Sequence, residues 1–287
     1  MNNFRLYTPT EMVFGKDTEL STGATAAKYG KKALLLSKNL IGRVHLLDEL
    51  RGFAIICMVF YHAMYDLVVL FRIDFPLFTS PVMQDFLQPL FAGLFIMISG
   101  AVGHYSRSNV KRGLICFLFG LALTAGTFFV MPRAFIAFGI LHFLGIAMML
   151  FPLFKKLADK MPPVVGIAAG FLLFWFFCRI TEGQIGLAPL FSLQLPKELY
   201  STPFLFWLGL PGPGFFSSDY FSLIPWLFVF FSGVCFGRLL KEHRCPAWFY
   251  KLHLRPLAFV GRHTVWVYLL HQPVCYGLML VLFWIFG

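Results

Sequence analysis

Residues 43–67 read RVHLLDELRGFAIICMVFYHAMYDL, and this stretch decides the class of fold. From Gly52 to Phe60 it is apolar without interruption; His62 and Asp66 then break the run. A helix that crosses a bilayer needs about 20 mostly apolar residues, and the segment at 50–71 meets that length. Six more segments do so, at 87–105, 113–131, 135–154, 162–180, 220–240 and 263–286. The pair 113–131 and 135–154 is joined by a link containing Pro132 and Arg133, which predicts a tight helical hairpin. Composition agrees. Of 287 residues 59% are hydrophobic and 13% charged, with 37 Phe, whereas a soluble domain carries roughly 25% charged residues. A soluble globular enzyme and a disordered chain are both excluded.

The net charge of +11 does not point to nucleic acid, because the basic residues are scattered between apolar runs. Loops facing anionic lipid explain it better. With the amino terminus placed in the cytoplasm, alternate loops put 20 of the 24 Lys and Arg residues inside. Only Arg72, Arg133, Arg179 and Lys197 fall outside. The expected architecture is therefore an all-α polytopic membrane protein of about seven transmembrane helices, amino terminus cytoplasmic and carboxyl terminus outside, multi-pass in the cell membrane. The first 40 residues lack the apolar core and cleavage site of a signal peptide, so the first span is expected to stay. The six cysteines stand singly, most of them inside apolar runs, and show neither a disulfide framework nor metal-ligand spacing.

Residues 1–38 differ from the rest. Thr8–Phe14 reads as a strand, Asp17–Tyr29 as a short helix and Ala33–Ser37 as a second strand. The stretch NNFRLYTPTEMVFGKDTELSTGATAAKYGKKALLL, residues 2–36, resembles the amino-terminal edge of iron-dependent alcohol dehydrogenases. The resemblance stops near Lys38, and neither the glycine-rich NAD segment nor the later Asp and His metal ligands follow. A piece this small cannot bury a core of its own. The expected domains are thus 1–42, a dehydrogenase-like fragment without that activity or a small cytoplasmic cap, and 43–287, the membrane domain.

Within a span, His and Asp are costly and tend to mark function. His62 and Asp66 are four residues apart and share a helical face, so the carboxylate is positioned to hydrogen-bond the imidazole and orient it as a general base. Arg51 precedes His62 by eleven residues. That spacing is about 20° beyond three full turns and about 16 Å along the axis. Arg51 at the cytoplasmic mouth can grip a phosphate-bearing donor whose extended arm reaches His62. The alternative stays open at this level: Arg51 snorkels to headgroups, and His62 with Asp66 packs two helices together.

The same residues carry a family resemblance. RVHLLDELRGFAIICMVFYH resembles the opening of bacterial relatives of heparan-α-glucosaminide N-acetyltransferase, and of integral-membrane acyltransferases that share Arg, ten residues, then His. FAGLFIMISG (91–100), FGILHFLGIAMML (138–150), SDYFSLIPWLFVFFSGVCFGRLL (218–240) and GRHTVWVYLLHQP (261–273) extend it over roughly 43–287. The resemblance implies transfer of an acetyl group from cytoplasmic acetyl-CoA, a co-substrate and not a bound cofactor, to an amine or hydroxyl of an extracytoplasmic sugar or glycolipid. It implies His62 as base or transient acyl carrier and Arg51 as the CoA contact. It also implies a catalytic His just after the first helix, and the loop at 72–85, RIDFPLFTSPVMQD, has none.

Further polar residues in the spans extend the candidate site. His142 can line an acceptor pocket with His62, or make a helix-to-helix hydrogen bond. His271, followed by Gln272 and Pro273, sits at a break that lines a donor channel or merely kinks the helix. Asp219 and Tyr220, at the outer start of the sixth span, are candidate acceptor contacts, with membrane anchoring the other reading for the tyrosine. Asp48 and Glu49 suit the dipole at the start of the first helix. The outer segment 181–219, with Pro-Gly-Pro-Gly at 211–214, is a lid or a connector. No metal-ligand pairing such as HExxH occurs. A proton-coupled transporter or flippase using His62 and Asp66 is the competing function, a non-catalytic scaffold the third, and a homodimer stays open.

Overall fold

The computed structural model describes residues 4–8, 10–14 and 44–286, and the chain divides into two compact units, Met1–Arg43 and Val44–Gly287. In the first, strands β1 (Phe4–Thr8) and β2 (Thr10–Phe14) pair antiparallel, with Tyr7 opposite Glu11. The strand expected at Thr8–Phe14 is thus mainly the second arm of a hairpin, and FRLYT before it is extended as well. The helix expected at Asp17–Tyr29 and the strand at Ala33–Ser37 lie outside the described residues.

The second unit is mostly helical. It has six helices long and apolar enough to cross a membrane, or seven spans if one bent pair is a single crossing. Helix α1 (His45–Tyr65) carries the opening motif and widens into a π-helical turn at Asp66–Leu70. Then follow α2 (Gln88–Val102), α3 (Asn109–Val130), and the bent pair α4 (Ile140–Met149) and α5 (Phe151–Ala158). The angle between these two is 58°. Pro152 causes it: with no N–H to continue the ladder of α4, it starts a new helix instead. Helices α6 (Pro163–Phe177), α7 (Leu223–Lys241), α8 (Arg255–Arg262) and α9 (Thr264–Phe286) complete the unit. The outer segment, expected as a loop or lid, holds a small antiparallel hairpin of β3 (Gln184–Leu187) and β4 (Phe191–Gln194).

Helix α7 is the central post. Its apolar window is 61% buried, against 6–28% for the other five, whose bare Phe, Leu, Val and Trp side chains suit contact with lipid. Around α7 packs the core of Ile96, Phe143, Ala147, Phe230, Val234 and Cys235. Small residues set the spacing where apolar packing alone cannot draw helices together. A Cβ on Gly100 of α2 would run into the Phe230 carbonyl of α7, and one on Gly233 into the Met97 carbonyl. Helices α1 and α8 meet equally closely at Gly52 and Gly261. Glu49 fastens that contact. It is buried, and its Oε1 accepts the backbone N–H groups of His253 (2.6 Å) and Leu254 (3.1 Å), just before α8 begins. The sequence suggests only a dipole contact for Glu49; the fold gives it a tie across 200 residues of chain.

On the far side, the segment before α7 is clamped to the entry of α4. Ser218 N–H donates to the Phe135 carbonyl (2.9 Å), Phe221 N–H to the Phe138 carbonyl (3.2 Å), and Ala137 N–H to Ser217 Oγ (3.0 Å). These bonds bring Asp219 to the start of α4.

Candidate functional site

Two cavities lie between the helices, and Phe95, Ile140 and Tyr268 belong to the walls of both. The first, of about 120 Å³, has the polar lining Cys57, Tyr61, His62, Gln88, Asp219 and Tyr268, with Tyr220 also in its wall. The second, of about 310 Å³, is lined by Arg51, Arg112 and Arg262 together with Ser99, Asn109 and Thr264. One is a histidine cavity and the other an arginine cavity, and the aromatic and aliphatic residues they share form a common wall, or waist, between them.

In the arginine cavity, α1, α3 and α8 each contribute one guanidinium. Arg51 is half-buried, 3.6 Å from Asp48 one turn earlier and 3.5 Å from the Gly261 carbonyl. Arg262 ends α8 and donates from Nε to the Ala258 carbonyl at 2.9 Å. Three guanidiniums around one opening suit a polyanion, because each presents a fork of donors matched to phosphate oxygens. Sequence reading found only Arg51. Arg112 and Arg262 fall on the same side by charge sorting, but nothing local marks them as its neighbours.

In the histidine cavity the structure brings together His62, Asp219 and Tyr220, three of the residues singled out above. Asp219 Oδ2 accepts the Ile140 N–H at 3.0 Å, at the first residue of α4, where helix donors are unsatisfied. Tyr220 donates its hydroxyl to the Phe206 carbonyl at 2.5 Å, which ties it to the segment 181–219.

Asp66 does not orient His62. It is fully buried, and its Oδ1 accepts from Gln272 Nε2 on α9 at 2.6 Å, while Oδ2 has no partner among the described residues. The residue beside His62 is His271, with ring centres 5.0 Å apart and planes tilted by 54°. Sequence spacing along one helix shows i and i+4 neighbours, and a helix 200 residues later is invisible to it.

His142 lines neither cavity. Its Nδ1 accepts the Gly139 N–H at 3.2 Å, and its Nε2 lies 3.3 Å from Thr124 Oγ1, whose own proton goes to the Ile136 carbonyl at 2.8 Å. Nε2 must therefore carry the proton. Both nitrogens are spent on capping α4 and tying it to α3, with Phe138 stacked on the ring at 5.4 Å. This is the helix-to-helix hydrogen bond of the two readings the sequence allows.

The Asp219 carboxyl is pushed by burial from its ordinary 3.8 up to about 6, with the Ile140 N–H pulling the other way. A carboxyl with a raised folded-state value holds its proton more tightly when folded. The stability it contributes is complete at low pH and is lost as pH rises from about 4 to about 6. We expect Asp219→Asn, whose amide oxygen still accepts from Ile140, to flatten that fall. Thermal unfolding in detergent from pH 4 to 7 checks it; parallel declines in wild type and variant would contradict the assignment to Asp219.

Residues 43–273 match a family described as "Heparan-alpha-glucosaminide N-acetyltransferase, catalytic". The match spans every candidate site residue from Arg51 to His271. No curated protein and no solved structure matches the chain.

Proposed function

From the premise that the chain belongs to the heparan-alpha-glucosaminide N-acetyltransferase catalytic family, a group of multi-pass membrane acetyltransferases, we propose that it moves an acyl group across the cell membrane. The donor is cytoplasmic acyl-CoA, acetyl-CoA in the first instance. The acceptor is an amine or hydroxyl of a sugar or glycolipid on the far side. The observation that carries this reading is the pair of abutting cavities, a guanidinium cluster in one and His62 with Asp219 in the other, sharing the waist of Phe95, Ile140 and Tyr268.

We place Arg51, Arg112 and Arg262 on the cytoplasmic side, a choice supported by the excess of Lys and Arg on that set of loops, and there they hold the phosphates of CoA. The pantetheine arm runs along the apolar wall of the arginine cavity to the waist and presents its thioester to His62. On the other side the acceptor enters the histidine cavity, where Asp219 and Tyr220 receive its hydroxyl or amine groups. Neutral His62 takes a proton from the attacking oxygen or nitrogen. That atom bonds to the thioester carbon, the C–S bond breaks, and the departing thiolate takes the proton from the imidazolium. In a two-step variant the acyl group rests on His62 before the acceptor removes it.

The test is release of CoA thiol by purified protein in liposomes supplied with acetyl-CoA and a panel of amino sugars. We expect acceptor-dependent release. With Arg51→Gln or Arg262→Gln, the KM for acetyl-CoA should rise about 10- to 100-fold, the worth of one charge-assisted phosphate contact, with kcat little changed. No binding or consumption of any acyl donor would overturn the reading.

A further inference from the structure

We infer that His271 is the positioning residue of His62, the acceptor that steadies the His62 imidazolium while it holds the proton. The chemistry rests on the acyl-transfer reading above. The geometry stands on the packing of α9 against α1.

Two consecutive residues of α9 meet two residues of α1 that lie one turn apart. Gln272 Nε2 donates to Asp66 Oδ1 at 2.6 Å, and the His271 ring lies 5.0 Å from that of His62. The amide bond one turn away fixes the level at which His271 stands against His62.

The tautomer of His271 is also determined. Its Nδ1 is 2.6 Å from the Tyr268 carbonyl, which can only accept, so Nδ1 carries the hydrogen. In a neutral ring Nε2 then bears a bare lone pair, and that atom is buried with no partner among the described residues. Leaving a buried acceptor unpaired is costly, and such orphans call for an explanation. A ring nitrogen sits about 1.1 Å from the ring centre, so at 5.0 Å between centres two nitrogens brought onto the line joining the centres would stand about 2.8 Å apart, a hydrogen-bond distance. The contact requires the two rings to reorient from this geometry once His62 is charged, chiefly that of His62, which is not tied to a carbonyl.

The step balances. His62 takes the acceptor's proton on the nitrogen facing the cavity, and the N–H on its other nitrogen donates to His271 Nε2. The thiolate then recovers the proton, and His271 ends as it began. This is the part played by an orienting carboxylate in a triad, taken here by a neutral imidazole locked in its accepting form. The other titratable groups facing His62 or lining its cavity are Cys57, Tyr61, Tyr65 and Asp66 on its own helix, Tyr268 and Cys275 on α9, and Asp219 and Tyr220 before α7. None of them is hydrogen-bonded to His62 among the described residues.

The experiment compares wild type, His271→Asn and His271→Gln in liposomes, following CoA release against pH and acetyl-CoA concentration. Loss of support for the imidazolium should lower kcat about 10- to 100-fold, leave the KM for acetyl-CoA within about twofold, and shift the acid limb of the pH profile about one unit lower. Gln, longer and still able to accept, should recover more than Asn. A KM that rises while kcat holds would overturn the proposal in favour of a donor-channel role, and an unmoved acid limb would overturn it as well. A second readout needs no turnover: ¹⁵N NMR of the two imidazoles in lipid. We expect the His271 Nε2 resonance to move as His62 titrates; independent titration would refute the pairing. Wild type that consumes no acetyl-CoA would sink the acyl-transfer reading and leave the NMR result to decide the pair.

Discussion

Replacing His62 with alanine should lower acetyl-CoA turnover by about 10²–10⁴-fold, the usual worth of a positioned general base. The KM for acetyl-CoA should barely move, because the three arginines proposed to hold the donor line the other cavity. His62 borders a cavity already, so truncation enlarges a space and uncovers no carbonyl or charge. Thermal stability should therefore stay close to wild type, which separates lost chemistry from lost structure. Turnover within threefold of wild type would remove His62 from the reaction. A two-step mechanism is distinguishable in the same experiment, since it predicts acyl label retained on the wild-type protein after a chase without acceptor and absent from His62→Ala.

Gly52→Val should have the largest structural effect. A Cβ at Gly52 would overlap the Leu257 carbonyl of α8, and one at Gly261 would overlap the Asp48 carbonyl of α1. The obstacles are backbone atoms, which no rotamer change can move, so the two helices must separate. Overpacking of this kind costs about 1–3 kcal/mol even where side chains can yield. Separation also breaks the Glu49 bonds to His253 and Leu254 and carries Arg262 away from the arginine cavity. We expect the melting temperature to fall by several degrees and the KM for acetyl-CoA to rise about tenfold or more, with the His62 chemistry retained at saturating donor. Gly126→Ala, where an added Cβ meets nothing within 4 Å, is the control and should leave both unchanged. A Gly52→Val protein with wild-type KM would mean that α8 does not place Arg262.

The spans were legible because lipid imposes a length and a composition on any segment that crosses it. The bent α4–α5 pair was counted as one span, and its bend traces to Pro152, a residue whose effect is local. The opening motif yielded Arg51 and His62 for the same reason, since eleven residues along one helix fix both their angle and their distance. The partner of His62 did not emerge. Asp66 lies at a spacing that suggests a hydrogen bond, yet its carboxylate turns to Gln272, as a buried acceptor must where a strong donor is in reach. His142 looked like a site residue because an intramembrane histidine is costly. The cost is met by Gly139 and Thr124, and the residue serves α4.

What the sequence determined by itself is whatever depends on one segment and its solvent: the helical class, the segments long and apolar enough to cross a membrane, the excess of basic residues on alternate loops, and the Arg51–His62 axis of α1. Tertiary structure decided everything that needs two or more segments. It assembled Arg51, Arg112 and Arg262 into one cluster, set His271 beside His62, turned Asp219 onto the start of α4, and made Phe95, Ile140 and Tyr268 the common wall of two cavities. The division has a physical cause. Hydropathy and helical phase are properties of consecutive residues. Which helix faces meet is chosen by close approach at Gly52, Gly100, Gly233 and Gly261 and by the demand that each buried polar group find a partner, and both conditions relate residues as far apart as 48 and 261.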